Sequence, residues 1–323
     1  MLDRLRLASA PARPSQVHLC VTDRCFLPCA HCDMWRNKTP DLPEEVWARV
    51  IDELARWTGP AAMNFVGGEP LLRKDLERLM ARATDRGFTV TFNTNAWLLT
   101  DARAAALSDA GVRIAYLSLD GFRESTVDAS RGRDGSWRKV MEACDRLDRL
   151  PNPRVVIACI LHGHNAAEIP DLLAWVKARG YELVVQPLYQ SFGDNAHDPT
   201  WWRRSELWPT DFGAIDAAID VLIEERRSGG KVCNVVPQLQ AFKRHFRDPA
   251  TPNGQVCKAG HTDIAFDPRG NVRLCYFLEP VGNVLDERSL PRVWSALATM
   301  RRRHEVTRCT RSCNLLNCNF EGG

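Results

Sequence analysis

The stretch "TDRCFLPCAHC" (residues 22–32) places three cysteines within eight residues, in the spacing CX3CX2C. It follows "VHLCV" (17–21), a run of apolar and β-branched residues that predicts a β-strand. Cys25, Cys29 and Cys32 therefore lie together on one loop directly after a strand. Three is an odd number for disulfides and one fewer than the four ligands of a structural zinc site, so this loop needs another explanation.

Three thiolates on one loop can hold three irons of a [4Fe–4S] cluster and leave the fourth iron open for a substrate or cofactor. Zinc is the alternative, but catalytic zinc sites draw on nitrogen and oxygen ligands. His31 lies between two of the cysteines, and the sequence does not say where its side chain points. The spacing favours iron–sulfur over zinc.

Beyond this loop, short β-branched runs alternate with longer amphipathic stretches, which is the pattern of βα units around a parallel sheet. Helices are predicted between the strands, with Thr100, Asn165 and Thr210 as caps. We therefore predict an α/β fold, a partial (β/α)6 TIM barrel over residues 16–230, with a long loop at 190–209 and an N-terminal extension at 1–15. The predicted strands are residues 17–21, 62–66, 88–93, 114–119, 154–160 and 182–188.

The tail of the chain differs from the preceding βα units in its sequence pattern. Residues 231–254 are predicted to be a linker, and residues 255–323 a small cysteine-rich domain with a hairpin signal, "DPRGNV", at 267–272. A metal is expected to stabilise this tail, because it is too short to build a large core of its own. Its cysteines are Cys257, Cys275, Cys309, Cys313 and Cys318.

The composition excludes several classes of function. A net charge of +3, from 43 basic and 40 acidic residues without a long basic block, does not indicate nucleic acid. No apolar run approaches the roughly 18 to 20 residues of a membrane span, and no secretory signal is present, so we predict a cytoplasmic protein with no membrane partner. In a reducing compartment, cysteines indicate metal ligation or catalysis rather than disulfides. Those outside the two groups are predicted to be small buried hydrophobes: Cys20, Cys144, Cys159 and Cys233.

The cysteine motif and the six predicted strands together resemble the radical S-adenosylmethionine (SAM) superfamily, whose hallmark is CX3CX2C after the first strand of a six-unit partial TIM barrel. The resemblance implies that the open iron binds the amino and carboxylate groups of SAM. It also implies reductive cleavage of SAM and hydrogen abstraction from a substrate by a 5′-deoxyadenosyl radical. Cys25, Cys29 and Cys32 would hold the catalytic cluster.

Further motifs match the family at the ends of later strands. "GGEP" corresponds to the family's stretch that contacts the amino group of SAM, with Glu69 supplying a charge complementary to ammonium. "NTN" (93–95) and "SLDG" (118–121) lie where the family places polar contacts to the ribose and carboxylate. The resemblance thus implies this set of SAM contacts: Gly67, Gly68, Glu69, Pro70, Asn95, Ser118, Asp120 and Arg131.

The tail resembles the SPASM/twitch extensions of radical SAM enzymes, which open with CX9–15GX4C around an auxiliary [4Fe–4S] cluster. Here twelve residues separate Cys257 from Gly270, and four separate Gly270 from Cys275. Five tail cysteines can fully ligate one cluster, so the resemblance implies one auxiliary cluster. The expected ligands are Cys257, Cys275 and Cys318, with Cys309 or Cys313 as the fourth, and a spare thiol could donate hydrogen. Zinc is the alternative for the tail taken alone.

The function expected is that of a radical SAM enzyme that oxidises, epimerises or forms a bond in a sugar- or cyclitol-like small molecule or a peptide, with flavodoxin or ferredoxin as electron donor. Only about sixteen residues precede the first strand, so no fused leader-binding domain is expected. A peptide maturase that acts with a separate leader-binding partner is a second interpretation. The cysteines also leave open a non-catalytic iron–sulfur carrier or sensor and a zinc interaction module. "TDRC" and Gly322-Gly323 resemble a molybdenum-cofactor synthase of the same superfamily, although its tail-cysteine spacing differs.

Overall fold

The computed structural model describes residues 13–191, 197–250, 256–286, 288–311 and 313. Most of the predicted N-terminal extension, and Cys318, lie outside these residues. The strands are β1 (Gln16–Thr22), β2 (Ala62–Gly67), β3 (Thr89–Thr94), β4 (Ile114–Ser118), β5 (Arg154–Leu161), β6 (Glu182–Pro187), β7 (Asp263–Phe266), β8 (Asn271–Arg273) and β9 (Gly282–Asn283). The helices are α1 (Glu44–Thr58), α2 (Leu76–Asp85), α3 (Asp101–Asp109), α4 (Glu124–Arg131), α5 (Ser136–Leu147), α6 (Ile169–Ala178), α7 (Phe212–Arg227), α8 (Val236–Arg247), α9 (Leu290–Ser295) and α10 (Leu297–Thr307).

The strands of the described residues form one sheet in the order β6-β5-β4-β3-β2-β1-β7-β8-β9. Neighbours from β1 to β6 are parallel, with Gln16 beside Ala62 and Val156 beside Glu182. Parallel strands need a crossover connection, and at least one helix lies between each consecutive pair. The six predicted strands and the α/β partial barrel are therefore confirmed.

The helices bury one apolar stripe each against this sheet. On α1, Trp47, Ile51 and Leu54 recur at helical spacing and are 0% exposed. They join Phe65 of β2 and Phe92 of β3 in the same core. Each such buried side chain contributes about 1.5–3 kcal/mol, so this core fixes the strands and the loops at their ends. Within the described ranges, no helix is both long enough and apolar enough to cross a bilayer.

Two of the predicted helix caps can be compared directly. Thr100 caps α3 as predicted, because its Oγ1 accepts from the N–H of Arg103 at 3.3 Å. The predicted cap of α7 is wrong by one residue. Asp211, not Thr210, accepts from the N–H of Ala214 at 3.0 Å.

The third predicted cap, Asn165, is wrong for a different reason. Its side chain makes no capping hydrogen bond. Instead Oδ1 accepts from the N–H of His162 at 2.9 Å, and Nδ2 donates to the carbonyl of Asp120 at 2.9 Å. Asn165 therefore connects the loops after β4 and β5.

The segment 231–254, predicted to be a linker, contains the packed helix α8. Leu239, Phe242 and Phe246 of this helix are 0% exposed. Trp208 of the long loop lies 5.4 Å from the ring of Phe246. The segment is thus part of the core, although the division into domains stays a prediction.

The tail extends the barrel sheet. β7 pairs parallel to β1, with Asp263 beside Gln16, and then turns back as β8. The hairpin predicted at 267–272 is confirmed. On the helical side, the N–H of Leu290 donates to Glu53 of α1 at 2.6 Å, so the tail is anchored on both layers.

Candidate active site

The loops after β1 to β6 leave the sheet at one edge, because parallel strands share a carboxyl end. The cysteine loop (residues 23–32) follows β1, and residues 67–70 end β2 and continue beyond it. Asn95 follows β3, Ser118 ends β4 and is partly exposed, and Asp120 follows. The predicted site residues are therefore brought to one end of the barrel.

The "GGEP" stretch holds the first half of the cysteine loop. The N–H groups of Gly68 and Glu69 donate to the carbonyls of Thr22 and Arg24, both at 2.9 Å. A Cβ on Gly67 would lie 2.0 Å from the Thr22 carbonyl, and one on Gly68 would lie 2.4 Å from that of Arg24. Gly67 also has φ of +146°, where side chains are disfavoured. The two glycines allow one backbone to dock directly on the other.

The end of α4 holds the second half of the cysteine loop. The N–H of Ala30 donates to the carbonyl of Ser130 at 2.9 Å. Gly132 follows with φ of +68°, and a Cβ there would lie 2.4 Å from the carbonyl of Pro28. The cysteine loop is thus held between two barrel segments through contacts to its backbone.

Glu69 is fully buried, at 0% exposure. Its Oε1 accepts from the N–H of Leu71 at 3.0 Å and from the hydroxyl of Thr94 at 2.8 Å, and its Oε2 accepts from the N–H of Asn95 at 2.8 Å. Burial raises the pKa of this carboxyl, and the three donors oppose that shift. Glu69 therefore ties the end of β2 to the end of β3, and its predicted contact to the ammonium of SAM stays a prediction.

The three thiols of the cysteine loop are partly exposed. Burial raises the pKa of each, to about 12 for Cys29. Asn95 reaches the first of them, with Nδ2 at 3.9 Å from Sγ of Cys25. Metal ligation requires thiolates, so binding of iron here would release protons.

A buried ion pair stands behind Cys29. Asp120 is 0% exposed, and one of its carboxylate oxygens lies 2.7 Å from Nη2 of Arg131. The N–H of Ile160 and the hydroxyl of Ser130 also donate to this carboxylate. Burial alone would raise the pKa of Asp120, but the charge of Arg131, with His31, the N–H of Ile160 and His162, outweighs it and holds the pKa below its usual value. Arg131 is also a hydrogen-bond partner of Cys29, so it brings positive charge to the cysteine loop.

Three buried polar atoms in or near this pair have no hydrogen-bond partner among the described residues: Nδ1 of His31, Nε2 of His162 and Nε of Arg131. Oδ1 of Asn93, in β3, is also buried without one among these residues. His31 lies 3.9 Å from Asp120, and burial lowers the pKa of both histidines to about 4. Each unpaired buried group costs about 1–3 kcal/mol, which a bound polar ligand would recover. The site therefore fits a ligand with donors and acceptors, as SAM has. The sequence reasoning missed His162, although its position directly after β5 was a usable signal.

The tail brings its described cysteines together. Electrostatic interactions connect Cys257 to Cys275 and Cys309, and connect Cys313 to all three. Burial is the main reason that the pKa of Cys257 is raised to about 12. Both candidates for the fourth ligand, Cys309 and Cys313, are thus in the group, and the expected ligand Cys318 lies outside the described residues.

No three or more His, Cys, Asp or Glu side chains are close enough to hold one metal ion, within the part of the chain that the structure describes. Such a group would suit a single ion such as zinc, whereas a [4Fe–4S] cluster distributes its cysteines over separate irons.

The remaining cysteines behave largely as predicted. Cys20, Cys144 and Cys159 are buried, at 4%, 0% and 2% exposure. Cys233 differs, because it is only partly buried. None of the four joins either cysteine group.

Comparison with known proteins gives a family and a fold. A family model described as the Radical SAM superfamily matches residues 19–176. A PqqA peptide cyclase of Rhodopseudomonas palustris is 28% identical over 303 residues, which are 90% of this chain and 75% of that protein. An Fe-coproporphyrin III synthase of Methanosarcina barkeri is 37% identical over 218 residues, which are 62% of this chain and 54% of that protein.

Among solved structures, Streptococcus suis SuiB bound to precursor peptide SuiA superposes with a TM-score of 0.71. The match covers 93% of this chain and 69% of SuiB, at 14% identity. At that identity the likeness concerns the fold. It covers the barrel and the tail together.

Proposed function

Residues 19–176 make this chain a member of the radical SAM superfamily, and on that premise we propose that it cleaves SAM reductively and abstracts a hydrogen atom from a substrate. The observation that carries the proposal is the cysteine loop, fixed on both sides at the carboxyl end of six parallel strands. When bound, a [4Fe–4S] cluster and SAM supply the electron and the carbon radical for this chemistry. The chain supplies the positions and charges around them.

In the proposed site, Cys25, Cys29 and Cys32 hold three irons of the cluster. Arg131 places a cation beside Cys29 and compensates the negative charge of thiolates, while Asp120 holds the guanidinium in place. Asn95 offers an N–H to the sulfur of Cys25. These residues would orient a cluster bound to the loop.

We propose that Cys257, Cys275, Cys309 and Cys313 hold one auxiliary [4Fe–4S] cluster. The support is that these four thiols are mutual electrostatic neighbours although they come from separate segments of the tail. A fully ligated cluster has no open iron, so its simplest role is to accept or relay an electron. Cys318 remains a rival ligand, to be tested by substitution.

For the substrate we propose a peptide. The relative matched over 90% of this chain is a peptide cyclase. A small molecule is the second candidate, because the relative that is 37% identical is a porphyrin synthase. A short peptide encoded beside this gene, incubated with the enzyme and SAM, should lose hydrogen or change connectivity by mass spectrometry; an unchanged mass beside a changed small molecule would favour the second candidate.

The partners proposed are an electron donor of the flavodoxin or ferredoxin type and, with a peptide, a separate leader-binding protein. Both belong in the cytoplasm, the location that the sequence predicts for this chain. Purified flavodoxin and its reductase should replace dithionite as the source of electrons in the assay.

The direct test is anaerobic. The chain is reconstituted with iron and sulfide, reduced with dithionite and given SAM, and 5′-deoxyadenosine is quantified. We expect the wild type and the control Cys144→Ala, which alters a buried thiol outside both groups, to form it, and Cys29→Ala to form none. An iron-loaded wild type that neither cleaves SAM nor changes its electron paramagnetic resonance (EPR) spectrum with SAM would support the carrier or sensor interpretation instead.

A further inference from the structure

The chain segment after β6 contacts the cysteine loop through Ser191. The N–H of Asp33 donates to Oγ of Ser191 at 3.0 Å. Ser191 is also a hydrogen-bond partner of the thiol of Cys32. A hydroxyl has one proton and two lone pairs, so it can accept from Asp33 and donate to sulfur at the same time.

The same segment contacts the tail through His197. Nδ1 of His197 lies 3.2 Å from Oε1 of Gln190, which also accepts from the N–H of Asp198 at 2.9 Å. The ring of His197 lies 5.6 Å from that of Phe277, edge to face. Gln190 is the residue next to Ser191, so a short chain of contacts runs from Cys32 to Phe277.

Phe277 stands beside the auxiliary cysteines. It is two residues from Cys275, and the guanidinium of Arg311 lies 5.4 Å from the centre of its ring. Arg311 interacts electrostatically with Cys275, Cys313 and His197. Its Nη1 is buried and has no hydrogen-bond partner among the described residues. This cation is placed where ligation of a cluster would concentrate negative charge.

We propose that Gln190, Ser191 and His197, here called the bridge, set the reduction potential of the SAM-cleaving cluster through the hydrogen bond from Ser191 to Cys32, and that contact with Phe277 makes this setting depend on the auxiliary site. The inference rests on the proposed function. Hydrogen bonds to cluster sulfurs favour the more negative, reduced state and so raise the potential. Loosening either end of the bridge would weaken the hydrogen bond and lower the potential.

The test is a redox titration of the reconstituted protein, followed by EPR on the signal that changes when SAM is added. In Ser191→Ala, the ratio of reduced to oxidised cluster at a fixed ambient potential should fall about three- to tenfold, where tenfold equals about 59 mV for one electron. Ser191→Thr keeps the hydroxyl and should restore the wild-type value. Ser205→Ala, the same change farther along the loop, should have no effect.

A double-mutant cycle tests whether His197 acts on the reduction potential through Ser191. His197→Ala should lower the potential in the same direction as Ser191→Ala but less, and should have no further effect in the Ser191→Ala background. Phe277→Leu provides a second probe from the tail side. Iron per chain is measured for every variant so that loss of a cluster is recognised.

The outcomes separate the two claims. A SAM-responsive signal whose potential is unchanged in Ser191→Ala, at equal iron content, overturns the role of Ser191. The dependence on the auxiliary site is overturned if the potential shifts of His197→Ala and Ser191→Ala simply add in the double variant. It is also overturned if neither His197→Ala nor Phe277→Leu shifts the potential. Absence of any SAM-responsive signal in the loaded wild type overturns the proposed function itself, and this inference with it.

Discussion

In the cysteine loop, three thiols lie within eight residues, between two barrel segments that contact the loop through its backbone. In the tail, the described cysteines range from Cys257 to Cys313, and β7, β8, β9, α9 and α10 lie between them. The first group is positioned by the fold before any metal binds. The second depends on several separate segments meeting, so the metal itself is expected to hold it together.

Arg131→Met should have the largest effect on stability, because it removes the buried ion pair behind the cysteine loop, the group that the fold positions. Removing the guanidinium leaves Asp120 buried and unpaired, which costs about 3–5 kcal/mol. Urea unfolding of the iron-free chain measures the loss in free energy of unfolding. The double variant Arg131→Met/Asp120→Asn should recover most of it, and a loss below about 1 kcal/mol in the single variant would show that the pair is unimportant.

Acid should have the second largest effect, because it lowers the folding stability through His162 in the same region. Burial lowers the pKa of His162 to about 4 in the folded chain, below the 6.5 of an unfolded one. The unfolded state therefore gains a proton first, and stability is lost as pH falls from 6.5 towards 4, by up to about 1.4 kcal/mol for each pH unit. His162→Gln should flatten this dependence in unfolding experiments across that range. An equal slope in the variant would contradict the assignment.

Gly67→Ala tests the backbone docking of "GGEP". The new Cβ would lie 2.0 Å from the Thr22 carbonyl, whereas one on Gly180, which also has positive φ, would meet nothing within 4 Å. Gly67→Ala should therefore destabilise the chain by about 1–3 kcal/mol more than the matched control Gly180→Ala. It should also lose iron from the cysteine loop. Equal stability of the two variants would mean that the close approach is not needed.

Removal of iron should produce the smallest change in overall stability and the clearest difference between the two groups. After chelation, amide hydrogen exchange around Cys257 and Cys275 should accelerate about tenfold or more, which corresponds to about 1.4 kcal/mol of local stability. Residues 23–32 should be protected almost as before. Equal acceleration in both regions would show that the cysteine loop also depends on its metal.

Local patterns were sufficient for the strands, because runs such as "RVVIACI" combine β-branched residues with the buried character of a parallel strand. Local patterns were insufficient where two neighbouring residues could both cap a helix. Thr210 and Asp211 are both good caps, and only the geometry of the turn selects Asp211. Asn165 has the local pattern of a cap. Its actual partner, Asp120, is 45 residues away, so the sequence around Asn165 does not predict that contact.

The same limit applies to the site. The cysteine spacing predicts three ligands on one loop, yet nothing local predicts that Asp33 would meet Ser191, 158 residues later. The convergence of Cys309 and Cys313 with Cys257 likewise depends on the path of the tail. Contacts of this kind follow from the fold as a whole, whereas motifs report only the segments that carry them.

The most direct test assigns each cluster to its cysteines by EPR of the reduced, reconstituted protein with and without SAM. We expect Cys257→Ala/Cys275→Ala to keep a signal that changes with SAM, and Cys29→Ala/Cys32→Ala to keep only a signal that does not change with SAM. A SAM response that is lost with the tail cysteines and kept without those of the loop would contradict the central claim that SAM is cleaved at the barrel.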